Sequence, residues 1–223
     1  MPTRRTLRAE LLAMRTEDLA VRQKLLEAGQ LEDGYSPAMA ATHSKNAVRM
    51  REILDQYGWP TRTLVGVDGE EAAWMVAMHA IGDPDLQRKS LAVLENAVSA
   101  GEAPAWQFAC LADRIAFFEG RPQRYGTQLD WDDEGYHSVY RLQDAERVNE
   151  LRATVGLGPL EGFGRDGRAP KDSESLRRHR EEYEAWARKV GWRKQPAGHL
   201  VGNPLGIRGL RKFRLCRGGP ALI

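Results

Sequence analysis

The sequence predicts a mainly α-helical chain: a compact helical domain of antiparallel helices with a small β-hairpin, followed by a charged helix and a basic tail. Three observations carry this expectation. Apolar residues recur at helical spacing through most of the first 120 positions, glycine and proline punctuate the ends of those runs, and only one stretch, 127–141, carries a strand signal.

The first helix is expected from about Thr6 to Ala28, where Leu7, Leu11, Leu12, Met14, Leu19, Val21, Leu25 and Leu26 alternate with charges. A polar connection, Gly29 to Pro37, precedes a second helix from about Ala38 to Tyr57, which carries His43 and Asn46 and stops at Gly58 with Pro60 beyond. A third, from about Asp68 to Ala80, aligns Ala72, Met75, Val76 and His79 on one core-facing stripe. Asp83-Pro84 reads as the cap and first turn of a fourth helix with Leu86, Leu91, Val93, Leu94 and Val98, ending near Ala100-Gly101. The fifth runs from Ala103 to Phe118 and is apolar on nearly every side (Trp106, Phe108, Cys110, Leu111, Ile115, Phe117, Phe118), with an Asp113-Arg114 pair inside it. The strands 127–131 and 136–141, joined by Asp132-Asp133-Glu134-Gly135, form the expected hairpin. A sixth helix follows from Asp144 to Val155, ending at Gly156, and a charged one from Asp172 to Val190, whose apolar positions are only Leu176, Tyr183, Trp186 and Val190. That last helix is expected to pack weakly or to meet a protein partner.

With 42% hydrophobic and 29% charged residues among 223, composition is that of a soluble globular protein. The expected division is a helical core domain over 1–163, then linker, charged helix and tail over 164–223. No apolar run is long enough to span a bilayer, and Met1 to Arg15 lacks a signal peptide's apolar centre, so a cytoplasmic protein without membrane contact is expected. Cys110 and Cys216 are far apart and suggest neither a disulfide framework nor a metal site. Net charge is +2, yet no acidic residue follows Glu184, and seven basic residues after Gly191 leave the preceding part at −5. Such a tail contacts nucleic acid or an acidic partner in some proteins, but a solvated segment is the expected reading and nucleic acid is not the expected partner.

The densest polar run is Gln123-Arg124-Tyr125-Gly126-Thr127-Gln128, close behind Asp113-Arg114. Together with Gly58-Trp59-Pro60, Val65-Gly66, Ala73-Trp74, His79-Ala80, Asp83-Pro84, Gln87, Gly120 and Gly156-Leu157, these motifs resemble the domain-of-unknown-function family 6624 over about residues 7 to 163. The resemblance implies a small, mostly helical bacterial domain and no assigned activity. Where the family's motif is expected to read Gln-His-Ala-Asp, this chain has Met78-His79-Ala80-Ile81, which removes two polar groups beside His79 and marks a specialised member.

Buried charges need partners, so Asp113 and Arg114 define either a site or a polar staple. As a site, His79, Asp113 and Tyr125 are the catalytic candidates, with Asp113 orienting His79. Arg114, Gln123, Gln128, Asn46, Trp74 and Gln87 are then the substrate-binding ones, Arg114 gripping an anionic group and the glutamines polarising a carbonyl. The expected function is a cofactor-independent acid–base enzyme, of lyase, isomerase or hydrolase type, acting on a polar or anionic small metabolite in specialised metabolism. The alternative is a non-catalytic helical interaction module that binds through helix 172–190 and the tail, with Asp113 holding the 125–128 segment. No metal is expected: Asp83 and Asp85 lie near His79, but no second histidine stands at helical spacing, and His43, which can meet His79 across two helices, is the only near candidate. Gly162-Phe163-Gly164-Arg165-Asp166-Gly167 follows no strand and reads as a linker, not a phosphate cradle.

Overall fold

A computed structural model describes residues 4–30, 35–160 and 168–194. The described chain is mainly helical with one two-stranded antiparallel sheet, as its sequence predicts. The elements are α1 (Arg4–Glu27), α2 (Pro37–Tyr57), α3 (Arg62–His79), α4 (Pro84–Ser99), α5 (Ala105–Phe118), β1 (Leu129–Trp131), β2 (His137–Val139), α6 (Val148–Thr154) and α7 (Ser173–Lys189). They fall into two compact units whose boundary lies inside α5, between Leu111 and Ala112. The expected domain break near 163–164, the glycine-spaced linker and the tail beyond 194 lie outside the described residues. No described helix is long and apolar enough to cross a membrane.

In the first unit α1 packs along α3 and α2, and α4 packs on α2 and α3. The buried stripe of α1 is Leu7, Leu11, Met14 and Asp18, while Leu26, expected inside, is exposed. Helix α3 begins earlier than expected, because Thr61 caps an extra turn by accepting from the Leu64 amide (3.3 Å). Gly66 breaks that turn from the main helix with φ 77°, a left-handed conformation that glycine adopts without strain. From Ala72 to Ala80 every residue is buried, so the single stripe expected there is in fact a helix enclosed all round. Asp83 is the cap of α4: its carboxylate accepts from the Leu86 amide at 3.0 Å and from Arg51.

The second unit is built on the end of α5. Phe117 and Phe118, both fully buried, receive α7: Tyr183 and Trp186 pack on Phe118, Tyr183 also on Phe117, and Trp192 stacks on Phe118 with ring centroids 5.1 Å apart. The apolar face of α7 is therefore covered within this unit, which corrects the expectation of a weakly packed helix. Few apolar positions suffice because they are aromatic and each buries a large area. The hairpin pairs Leu129 with Val139 and Trp131 with His137. Helix α6 starts only at Val148; Asp144 instead closes a turn by accepting from the Arg147 amide.

Candidate functional site

Three helices of the first unit, with Tyr35 just ahead of α2, bring four polar side chains together. Asp18 sits on α1 at the position that the Leu7, Leu11, Met14 stripe aims at the core, and it is wholly buried. His79, on the last turn of α3, places Nδ1 at 3.0 Å from both carboxylate oxygens of Asp18. His43 on α2 places Nε2 at 3.1 Å from Asp18 Oδ2, and its Nδ1 lies 2.8 Å from the Tyr35 hydroxyl. The two imidazole centroids are 5.1 Å apart. Burial alone would raise the Asp18 carboxyl, but the contacts with His43 and His79 outweigh it and hold the group well below the usual carboxylate range. Burial and the Asp18 charge push the Tyr35 phenol upward, so this hydroxyl keeps its proton.

An ionised Asp18 has no proton to give, so the nitrogen of His79 that faces it carries the hydrogen. Neutral His79 is thereby held as the Nδ1–H tautomer, with the lone pair on Nε2, which makes no hydrogen bond among the described residues. His43 approaches the same carboxylate at Oδ2, with Tyr35 behind it. Asn46, one turn from His43, donates weakly to the Met14 carbonyl (3.4 Å). Gln87 donates to the carbonyls of Ala77 and Met78 and so ties down the turn that carries His79. Trp74 donates to the Gln107 carbonyl and packs edge-on to Trp106, a core role.

A second buried carboxylate in this unit, Glu70, accepts from Trp59 Nε1 and Gln107 Nε2, each at 3.1 Å. Burial outweighs those two bonds and pushes it up to about 7. Sequence reading passed over it.

The remaining predicted site residues gather in the second unit. Asp113 accepts from the amides of Arg124 (2.8 Å), Tyr125 (3.1 Å) and Thr127 (3.0 Å) and from the Thr127 hydroxyl (3.0 Å). It forms no ion pair with Arg114, because adjacent helix positions diverge by about 100°; Arg114 donates to Gln128 Oε1 at 3.2 Å instead. Gln123 donates to the carbonyls of Gln128 and Tyr140 and accepts from the Gln128 amide. Gly126, with φ 66°, makes the turn that lets three amides converge on one carboxylate, and a Cβ there would lie 2.5 Å from Leu160. Arg152, also missed, is buried and donates to the carbonyls of Tyr125 and Gly158. The expected orientation of His79 by Asp113 is corrected: the carboxylate on His79 is Asp18, and Asp113 secures the 124–127 segment.

A family of unknown function, DUF6624, matches residues 5–169. The chain belongs to this family. The DUF6624 span contains both the Asp18–His43–His79 cluster and the Asp113 network, whereas α7 lies beyond it. No curated protein and no solved structure matches the chain. A cavity of about 510 Å³ in the second unit combines DUF6624 hairpin residues such as Asp130 and Tyr140 with His179 and Arg180 of α7. Within it His179 Nε2 lies 3.3 Å from Asp130 Oδ1, and Arg180 pairs with Asp133 at 2.7 Å.

Proposed function

We propose that the protein is an acid–base enzyme acting on a polar or anionic small molecule, with His79 as the proton acceptor. The observation that supports this most directly is the Nδ1 contact of His79 with a wholly buried carboxylate, which leaves Nε2 as the basic nitrogen. When Nε2 takes a proton from substrate or from a substrate-activating water, the positive charge on the ring forms 3.0 Å from Asp18. Away from solvent that attraction is weakly screened, so the imidazolium is stabilised as it develops. The same ring then returns its proton as the general acid. Asp18 and His43 are positioning residues: Asp18 fixes the tautomer and orientation of His79, and His43 with Tyr35 fixes Asp18.

A well-placed general base contributes about a hundredfold to ten-thousandfold to rate. The test starts from a thermal-shift screen of a small-metabolite library against wild type and His79→Ala, since a ligand bound to the native state raises the midpoint. A ligand lost in His79→Ala, and turned over by wild type with a pH profile that Asp18→Asn displaces, supports the proposal. Ligands that bind and react equally well in both variants would remove His79 from the chemistry.

A further inference from the structure

We infer that Asp18, His43 and His79 form a binding site for a single divalent transition-metal ion of the zinc or cobalt class. Each offers one ligand atom, and the three atoms lie within 4.8 Å of one another. Asp18 Oδ2 is 3.1 Å from His43 Nε2 and 3.0 Å from His79 Nδ1. Two ligands at about 2.1 Å from one ion stand about 3.0 Å apart when they meet it at right angles and about 3.4 Å apart in a tetrahedron. The two edges from Asp18 therefore match the spacing of neighbouring ligands before any ion enters, and the two imidazole nitrogens lie within 4.8 Å of each other.

Chemistry agrees with spacing. Two imidazoles and one carboxylate suit zinc, cobalt or ferrous iron, while calcium and magnesium prefer sites made of oxygen. Tyr35 stands behind His43 at 2.8 Å, the outer hydrogen bond that a ligating histidine needs to fix its ring. The ligands come from α1, α2 and α3, which pack on one another through a common apolar core, so the triad is held by the fold of the first unit.

Binding has a definite consequence for protons. An ion at His43 Nε2 moves that ring's hydrogen to Nδ1, where it donates to the Tyr35 oxygen. An ion at His79 Nδ1 moves the hydrogen to Nε2, removing the lone pair assigned to the general base. Neutral rings change tautomer without releasing a proton. The metal-bound and base-competent forms of His79 exclude each other, a consequence that rests on the acid–base reading, whereas the binding site does not.

The experiment uses the full chain after removal of metal with a chelator. Zinc chloride is titrated calorimetrically, and cobalt chloride is followed by visible absorption. One ion per chain is expected, weakened more than about a hundredfold in His43→Ala and in His79→Ala, and about tenfold to a hundredfold in Tyr35→Phe. Should either alanine variant fail to fold, nitrogen-15 imidazole spectra of wild type replace it: zinc must move the His43 and His79 signals to the opposite tautomers. Absence of a stoichiometric ion, binding undiminished in both folded variants, or unmoved imidazole signals would each overturn the site. Loss of metal binding leaves the acid–base proposal standing when the ligand screen is run on metal-free protein. Failure of that screen leaves the metal site standing on calorimetry.

Discussion

Replacing Asp113 by alanine is the sharpest test of whether the Asp113 network holds the fold. The side chain is 1% exposed and accepts from three amides and one hydroxyl within 3.1 Å. A hydrogen bond to a charged acceptor contributes about 1.5–3 kcal/mol, so the gross loss for four is about 6–12 kcal/mol. Two effects reduce it. The Arg124 and Thr127 amides are partly exposed and regain water, and burial raises the Asp113 carboxyl above its usual range, so removing the group also relieves a desolvation cost. A net loss of about 3–4 kcal/mol remains, typical of breaking a buried polar network. Thr127→Val, which deletes only the hydroxyl bond, should lose about 1 kcal/mol. Because there are two compact units, the reading should be local: amide hydrogen exchange at 124, 125 and 127, alongside urea unfolding of the whole chain. A loss below about 1 kcal/mol, with those amides still protected, would refute the staple. The sign of the pH effect follows from the raised carboxyl. Stability from this group is complete below the unfolded value of 3.8 and declines as pH rises through the higher folded value.

Three further outcomes are expected. Asp18 is held below its unfolded value of 3.8, so its contribution is present above that pH and lost as pH falls through the lower folded value. Asp18→Asn should therefore cost at least about 3 kcal/mol at neutral pH, with the gap to wild type closing in urea titrations below about pH 4. Glu70 has the opposite sign: a carboxyl at about 7 against 4.5 unfolded makes the native state about 3 kcal/mol less stable above pH 8 than below pH 4.5. Glu70→Gln keeps an acceptor for Trp59 or Gln107 and should flatten that slope; an unchanged pH dependence of the urea midpoint would contradict the assignment. Gly126→Ala, which adds a Cβ at φ 66° and 2.5 Å from Leu160, should destabilise the second unit by about 2 kcal/mol or more in the same exchange experiment.

What could be read in advance depended on distance along the chain. Asp113 and its partners are 11–14 residues apart, and a carboxylate within an apolar helix followed by a polar turn is a local pattern, so that network was visible without a structure. The Asp18–His79 contact spans 61 residues and joins two helices, and no local pattern encodes it. A weaker signal did exist: Leu7, Leu11, Met14 and Asp18 recur at the spacing of one helix face, as do Met39, His43, Asn46 and Met50, so acid and imidazole occupy positions where apolar residues belong. Reading α1 by its leucines alone, including the exposed Leu26, hid this. Polar density was the misleading guide. In the second unit, Asp113 and Gln123 direct their polar atoms to backbone groups of the adjoining loop and hairpin, which is what a buried polar cluster requires whether or not it has a ligand. The more discriminating question is which polar atom keeps its reactivity once its neighbours are satisfied. In the first unit His79 Nε2 makes no hydrogen bond among the described residues, and the carboxylate on its Nδ1 comes from a residue 61 positions away in the chain.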